Sequence, residues 1–146
     1  MKTLLTIAIF GAAICIANAQ TVKEAEVPGR TMEAFRKQYP NVKVDKWEKE
    51  GANYEAEFMV DKVQTTVVYD ERGKYIQTEA EMEVSALPPQ INEYIEVNLN
   101  GKKVTEASKI TDAAGTVNYE AEIGETDYLF DSKGTLIKQE MTEDDD

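Results

Sequence analysis

The sequence predicts an α+β protein: two tandem repeats, each a helix followed by four strands (αββββ) in an antiparallel meander that the helix crosses. Three observations predict it. The pentapeptide Asn-Tyr-Glu-Ala-Glu stands at residues 53–57 and again at 118–122, an offset of 65. Its surroundings recur in the same order: Val27-Pro28 as Leu87-Pro88 at an offset of 60, and Asp70-x-x-Gly73-x-x-Ile76 as Asp131-x-x-Gly134-x-x-Ile137 at an offset of 61. In each half a helical spacing of apolar residues gives way to alternation with a period of two. The offset drifts only across hairpin turns and strand ends, where insertions cost least, so the pattern reads as an internal duplication.

The first helix opens at Pro28, a favourable residue for a first turn, and carries Thr31, Phe35 and Tyr39 on one side until Pro40 stops it. Four strands follow. Val42 and Val44 begin the first; Tyr54, Ala56, Phe58 and Val60 mark the second, Val63, Thr65, Val67 and Tyr69 the third, and Ile76, Thr78, Ala80 and Met82 the fourth. The connections Gly51-Ala52, Asp61-Lys62 and Asp70-Glu71-Arg72-Gly73 are short enough for hairpins, which makes the strands a meander. In the second half Ile91, Tyr94, Ile95 and Leu99 form the helical stripe, ended by Asn100-Gly101. Its strands are expected near 104–111, 117–123, 127–130 and 135–141. Within each pentapeptide the Tyr and Ala point to the side the helix crosses, where the small Ala leaves room, and the two Glu point away.

Residues 1–19 read as an export signal: Lys2, an uncharged apolar run from Leu4 to Ala17, and the small-x-small site Ala17-Asn18-Ala19. Residues 20–26 read as a flexible N-terminus, 27–84 as repeat one, 85–141 as repeat two and 142–146 as an acidic tail. Cleavage after Ala19 takes away Lys2 and with it one of the 16 basic residues, so the formal charge moves from −12 to −13. The single cysteine, Cys15, lies in the signal. Acidity of this order argues against a nucleic-acid partner or an anionic membrane, both of which need clustered Lys and Arg. No stretch of the mature chain is long and apolar enough for membrane insertion.

These elements, with Tyr39-Pro40-Asn41 after the first helix and the turns in VYDERGKYI and YLFDSKGTLI, resemble the PepSY-like family, also called β-lactamase-inhibitor-like. The resemblance spans Val27 to Met141 and implies small exported bacterial proteins, periplasmic, with one or two such repeats, whose strands form a curved antiparallel sheet with the helices packed against it. It implies no reaction; by its name it suggests inhibitor-like binding of another protein. In the second half Asn98-Leu99-Asn100 stands where the Tyr-Pro pair would be.

Catalytic chemistry finds little to work with. There is no His, and no Cys after processing, which removes nucleophilic triads and His or Cys metal sites and points to a non-enzymatic protein. Two functional readings stand. In the first, the sheet offers an acidic surface to a basic protein or peptide, with Glu55, Glu57, Glu120 and Glu122 on its outer side, joined by Glu79, Glu81 and Glu83. Trp47 and Tyr75 serve as aromatic anchors on that side, because simple alternation puts Trp47 opposite Val42 and Val44; a bulge would return it to the core. In the second, surface carboxylates bind Ca²⁺, with Asp70 and Asp131 contributing from their turns; there the competing reading is an Asp that caps its own turn.

Overall fold

The computed structural model describes residues 19–141, so all of the signal assigned to residues 1–19 except Ala19, and the acidic tail 142–146, lie outside it. The elements are β1 (Gln20–Val22), α1 (Gly29–Gln38), β2 (Val44–Glu50), β3 (Asn53–Val60), β4 (Val63–Asp70), β5 (Tyr75–Met82), α2 (Pro89–Asn98), β6 (Glu106–Asp112), β7 (Val117–Glu122), β8 (Thr126–Asp131) and β9 (Leu136–Met141). The hydrogen-bonded strand order follows the chain from β1 to β4 in the first unit and from β6 to β9 in the second. Two compact units divide between Thr78 and Glu79, inside β5 rather than at the 84/85 boundary that the sequence pattern suggests. Among the described residues no helix is long and apolar enough to cross a membrane.

In the first unit α1 forms because Thr31 and Phe35, four residues apart, bury one stripe, while Arg36 and Lys37 sit in the last turn where the helix dipole favours cations. Strands β1 to β4 pair antiparallel in sequence. The residues taken as a flexible N-terminus are instead ordered: Gln20–Val22 pairs with Trp47 to Lys49 of β2, and Glu24–Glu26 makes a 3-10 turn into the helix. Three residues are too few to show a period of two, which is why the pattern missed this strand. Val84–Ala86 makes the same 3-10 turn before α2.

The first core joins the helix to one side of β2, β3 and β4 through Phe35, Trp47, Ala56, Phe58 and Val67. Ala56 is fully buried, directly opposite Trp47 on β2 and Val67 on β4. Phe35 stands edge-on to both Trp47 and Phe58, at centroid distances of 5.3 and 5.4 Å. Tyr69, also buried, donates its hydroxyl to Gln38 Oε1 at 2.7 Å and so ties β4 to the end of α1.

In the second unit Pro89 occupies the first turn of α2, Ile91 and Ile95 bury the stripe, and Asn100 and Gly101 take left-handed φ of 54° and 62° to close the end. Its core holds Leu87, Ile91, Ala107, Ala121, Ile123 and Phe130. Strands β6 to β9 pair antiparallel. The two pentapeptides thus do the packing work the sequence assigns them, with Ala56 and Ala121 both at 0% exposure under a helix.

Candidate functional site

Opposite the helix, each unit turns a second side of its strands toward a set of acidic residues. In the first unit the register places Glu48 beside Glu55, which faces Val68, and Lys46 beside Glu57, which faces Thr66. Lys46 Nζ lies 2.7 Å from a Glu48 oxygen and 4.0 Å from Glu57, so one ammonium serves both carboxylates. Burial raises the pKa of Glu57 while the Lys46 charge opposes that rise.

The second unit is more acidic. Glu106 pairs with Glu122, Glu122 with Asp127, and Asp127 with Glu140, so four carboxyl groups lie in one row across four consecutive strands. The adjoining row on the same side reads Ser108, Glu120, Leu129, Lys138. Directly opposed residues bring Cβ atoms to about 5 Å, where like charges repel. One cation, Lys138, is in this pair of rows, and it forms an ion pair with Glu140 at the outer strand. Glu120 is 4% exposed and its Oε2 has no hydrogen-bond partner. Burial first, then the nearby charges of Glu79, Asp127, Glu140 and Glu122, hold its carboxyl far above the usual range. Asp127, 3% exposed, is pushed up to about 6 by burial and by Glu122, Glu106 and Glu140.

The residues expected at a binding surface are placed as follows. Trp47 is 3% exposed and belongs to the core. The reason is a register shift between Val44 and Lys46 of β2: Val44 pairs with Phe58 and Lys46 with Glu57, leaving Asp45 as an extra residue that inverts the alternation. Trp47 therefore shares a side with Val44, and an exposed anchor at this position is ruled out. Tyr75 is half-buried, packs on the same core, stands edge-on to Tyr69 at 6.0 Å and donates its hydroxyl to Thr78 Oγ1 at 2.9 Å. It too is a packing residue more than a landing site. Glu55 and Glu120 are buried rather than solvated; Glu57 and Glu122 are half-buried beside them. Glu81 and Glu83 are exposed, whereas Glu79 is 1% exposed.

Asp70 and Asp131 are accounted for by their own turns. Asp70 Oδ1 accepts from the backbone N–H of Arg72 and Lys74 at 2.8 and 2.9 Å, and Asp131 Oδ1 accepts from Lys133 and Thr135, both at 2.9 Å. Backbone hydrogen bonds hold the Asp131 carboxyl below its ordinary pKa. Asp112 does the same with Ala114 and Thr116, a third copy of the turn that the sequence reading passed over because its strand neighbours differ. Among the described residues no group of three or more acidic, His or Cys side chains could hold a metal ion. Glu106, Asp127 and Glu140 were not legible as a group, since only the register brings them into line.

A helix laid on one side of an antiparallel sheet, with carboxylates gathered on the other and neither His nor Cys among residues 19–141, defines the chain as a small α+β protein. The chain belongs to the family described as "Putative beta-lactamase-inhibitor-like, PepSY-like", which matches residues 15–76 and again 52–138. No curated protein matches it. Among solved structures it is similar to a BLIP-like protein from Bacteroides fragilis, at 26% identity and a TM-score of 0.60, covering 82% of this chain and 90% of that one. It is also similar to a DUF2874 family protein from Bacteroides uniformis, at 20% identity and a TM-score of 0.68, covering 78% and 88%. A third similar structure, from Bacteroides eggerthii and described as "putative periplasmic", has 18% identity and a TM-score of 0.69, covering 79% and 88%.

Proposed function

We propose that the chain is an exported, periplasmic, non-enzymatic binding module, built as two helix-plus-four-strand repeats, that takes a basic protein or peptide on the helix-free side of its second unit. The observation that carries this reading is the row Glu106, Glu122, Asp127, Glu140. Four carboxyl groups opposed across neighbouring strands, with one ammonium in the adjoining row, concentrate acidic charge on this side. A Lys or Arg side chain from a partner is attracted to such a row, with Arg favoured because its fork can engage two carboxylate oxygens at once. Asp127 is buried, so first contact falls on the half-buried Glu106, Glu122 and Glu140. The family's inhibitor-like description and the likeness to a BLIP-like protein support a protein as the partner class. A formal charge of −12 favours encounter with a basic surface.

A labelled arginine-rich peptide tests this at near-physiological salt. Glu122→Gln with Glu140→Gln is expected to weaken binding about tenfold or more, whereas Glu93→Gln with Glu96→Gln on exposed α2 positions, an equal change in charge, is expected to leave it within about twofold. Equal weakening by both pairs would show that the peptide responds to net charge alone and would sink the assignment of this side.

A further inference from the structure

The same rows of the second unit contain two buried carboxyl groups whose surroundings favour the uncharged form. We propose that Glu120 and Asp127 are a proton-binding site that is occupied in the folded chain at mildly acidic pH and emptied in steps as pH rises, Asp127 first, so that acid tightens the second unit and base loosens it. The geometry supports this independently of any partner. Glu120 lies between Ser108 on β6 and Leu129 on β8, neither of which carries a charge, and its Oε2 is buried without a hydrogen-bond partner. If the carboxyl were ionised, its Oε2 would have lost water and gained no donor in exchange. The ionisable groups around the two residues are Glu79 from β5, Glu106 from β6, Glu122 from β7, and Glu140 and Lys138 from β9. All are acidic except Lys138, which is engaged with Glu140 at the outer strand.

The sign follows directly. Burial and neighbouring carboxylates raise both groups above their unfolded values, Asp127 to about 6 and Glu120 further still. The folded chain therefore holds more protons than the unfolded chain over that range. Stability from this source is fully present below the ordinary carboxylate pKa of about 4 and is lost as pH rises, through about 6 for Asp127 and on beyond that for Glu120. Most proteins lose stability on moving from neutral pH toward acid through their paired carboxylates; here the two residues push the other way.

The experiment is a carbon-13 NMR titration of side-chain carboxyl groups in the purified protein, with Glu120→Gln and Asp127→Asn used to assign the two resonances. The expected result is that Asp127 titrates near pH 6 and Glu120 above it. Thermal melts across mildly acidic to alkaline pH supply the second readout. Native protein is expected to lose several degrees as pH rises. The double variant is expected to melt higher than native at alkaline pH and to lose most of that slope, and the surface pair Glu93→Gln with Glu96→Gln is expected to keep it. Carboxyl resonances for Glu120 and Asp127 that titrate together near the ordinary value of about 4 would overturn the proposal, and assignment by through-bond correlation to the backbone gives this readout in the native protein even where a variant fails to fold.

Discussion

Trp47→Ala is expected to destabilise the first unit by about 3–5 kcal/mol, the range for emptying a large aromatic site in a core. The indole is 3% exposed, opposes Ala56 and Val22 across its strand, and meets Phe35 edge-on at 5.3 Å. Its neighbours cannot close the space, because Ala56 and Phe58 are fixed by strand register and Phe35 by α1. The Nε1 donor is buried with no hydrogen-bond partner, so the residue is held by packing and not by its polar atom. This separates two variants. Trp47→Phe removes an unsatisfied donor along with some volume and is expected to cost much less than Trp47→Ala, about 1–2 kcal/mol. Chemical unfolding followed by far-ultraviolet circular dichroism gives both numbers. A Trp47→Ala loss below about 1 kcal/mol would mean that the indole contributes little to this core and would reopen a surface role.

The position of Trp47 also marks the limit of what alternation can reveal. Periodicity recovered both helices, the strands of each half and the helix-facing role of Tyr54, Ala56 and Ala121, because these follow from which residues must be buried. A single extra residue, Asp45, inverted the phase of β2 and carried Trp47 across the sheet. A bulge leaves little trace in composition, so a count that runs past one assigns every later residue to the wrong side. The strand Gln20–Val22 escaped for a different reason: its sequence is polar and brief, and it exists because β2 offers an open edge.

The acidic side shows a further gap between sequence and structure. Glu55, Glu57, Glu120 and Glu122 were legible as a shared side, since two residues apart on a strand is a local relation. That Glu55 and Glu120 are buried is not local, because burial depends on what adjoining strands place beside them. Likewise Asp127 and Glu140 join Glu122 only through pairings between residues 5 and 13 positions apart in sequence. Charge composition announced an acidic protein; register decided where the charges collide.

The turns after β4 and β8 carry the second large effect. Gly73→Ala is expected to cost about 2–5 kcal/mol, and Gly134→Ala a comparable amount, against about 1–2 kcal/mol for Gly115→Ala. All three glycines close the same Asp-x-x-Gly turn, with the Asp carboxylate accepting from two backbone N–H groups and the glycine at φ of 79°, 83° and 83° for Gly73, Gly134 and Gly115. A Cβ at any of them is strained by the left-handed backbone. Only two meet a helix. At Gly73 the added carbon would stand 2.4 Å from the Arg30 carbonyl oxygen, and at Gly134 it would stand 2.5 Å from Gln90 Cβ and 3.0 Å from the Gln90 carbonyl carbon, while Gly115 has nothing within 4 Å. The first turn of α1 is fixed to the same loop by Thr31, which donates its hydroxyl to the Asp70 carbonyl at 2.8 Å, so the helix cannot withdraw from Gly73 without losing that bond. Gly115→Ala thus reads the strain of the turn by itself, and the excess loss at Gly73 and Gly134 reads how tightly each turn is seated on its helix. Equal losses at all three positions, measured by chemical unfolding, would show that these helix ends yield and that the close approach carries no stability of its own.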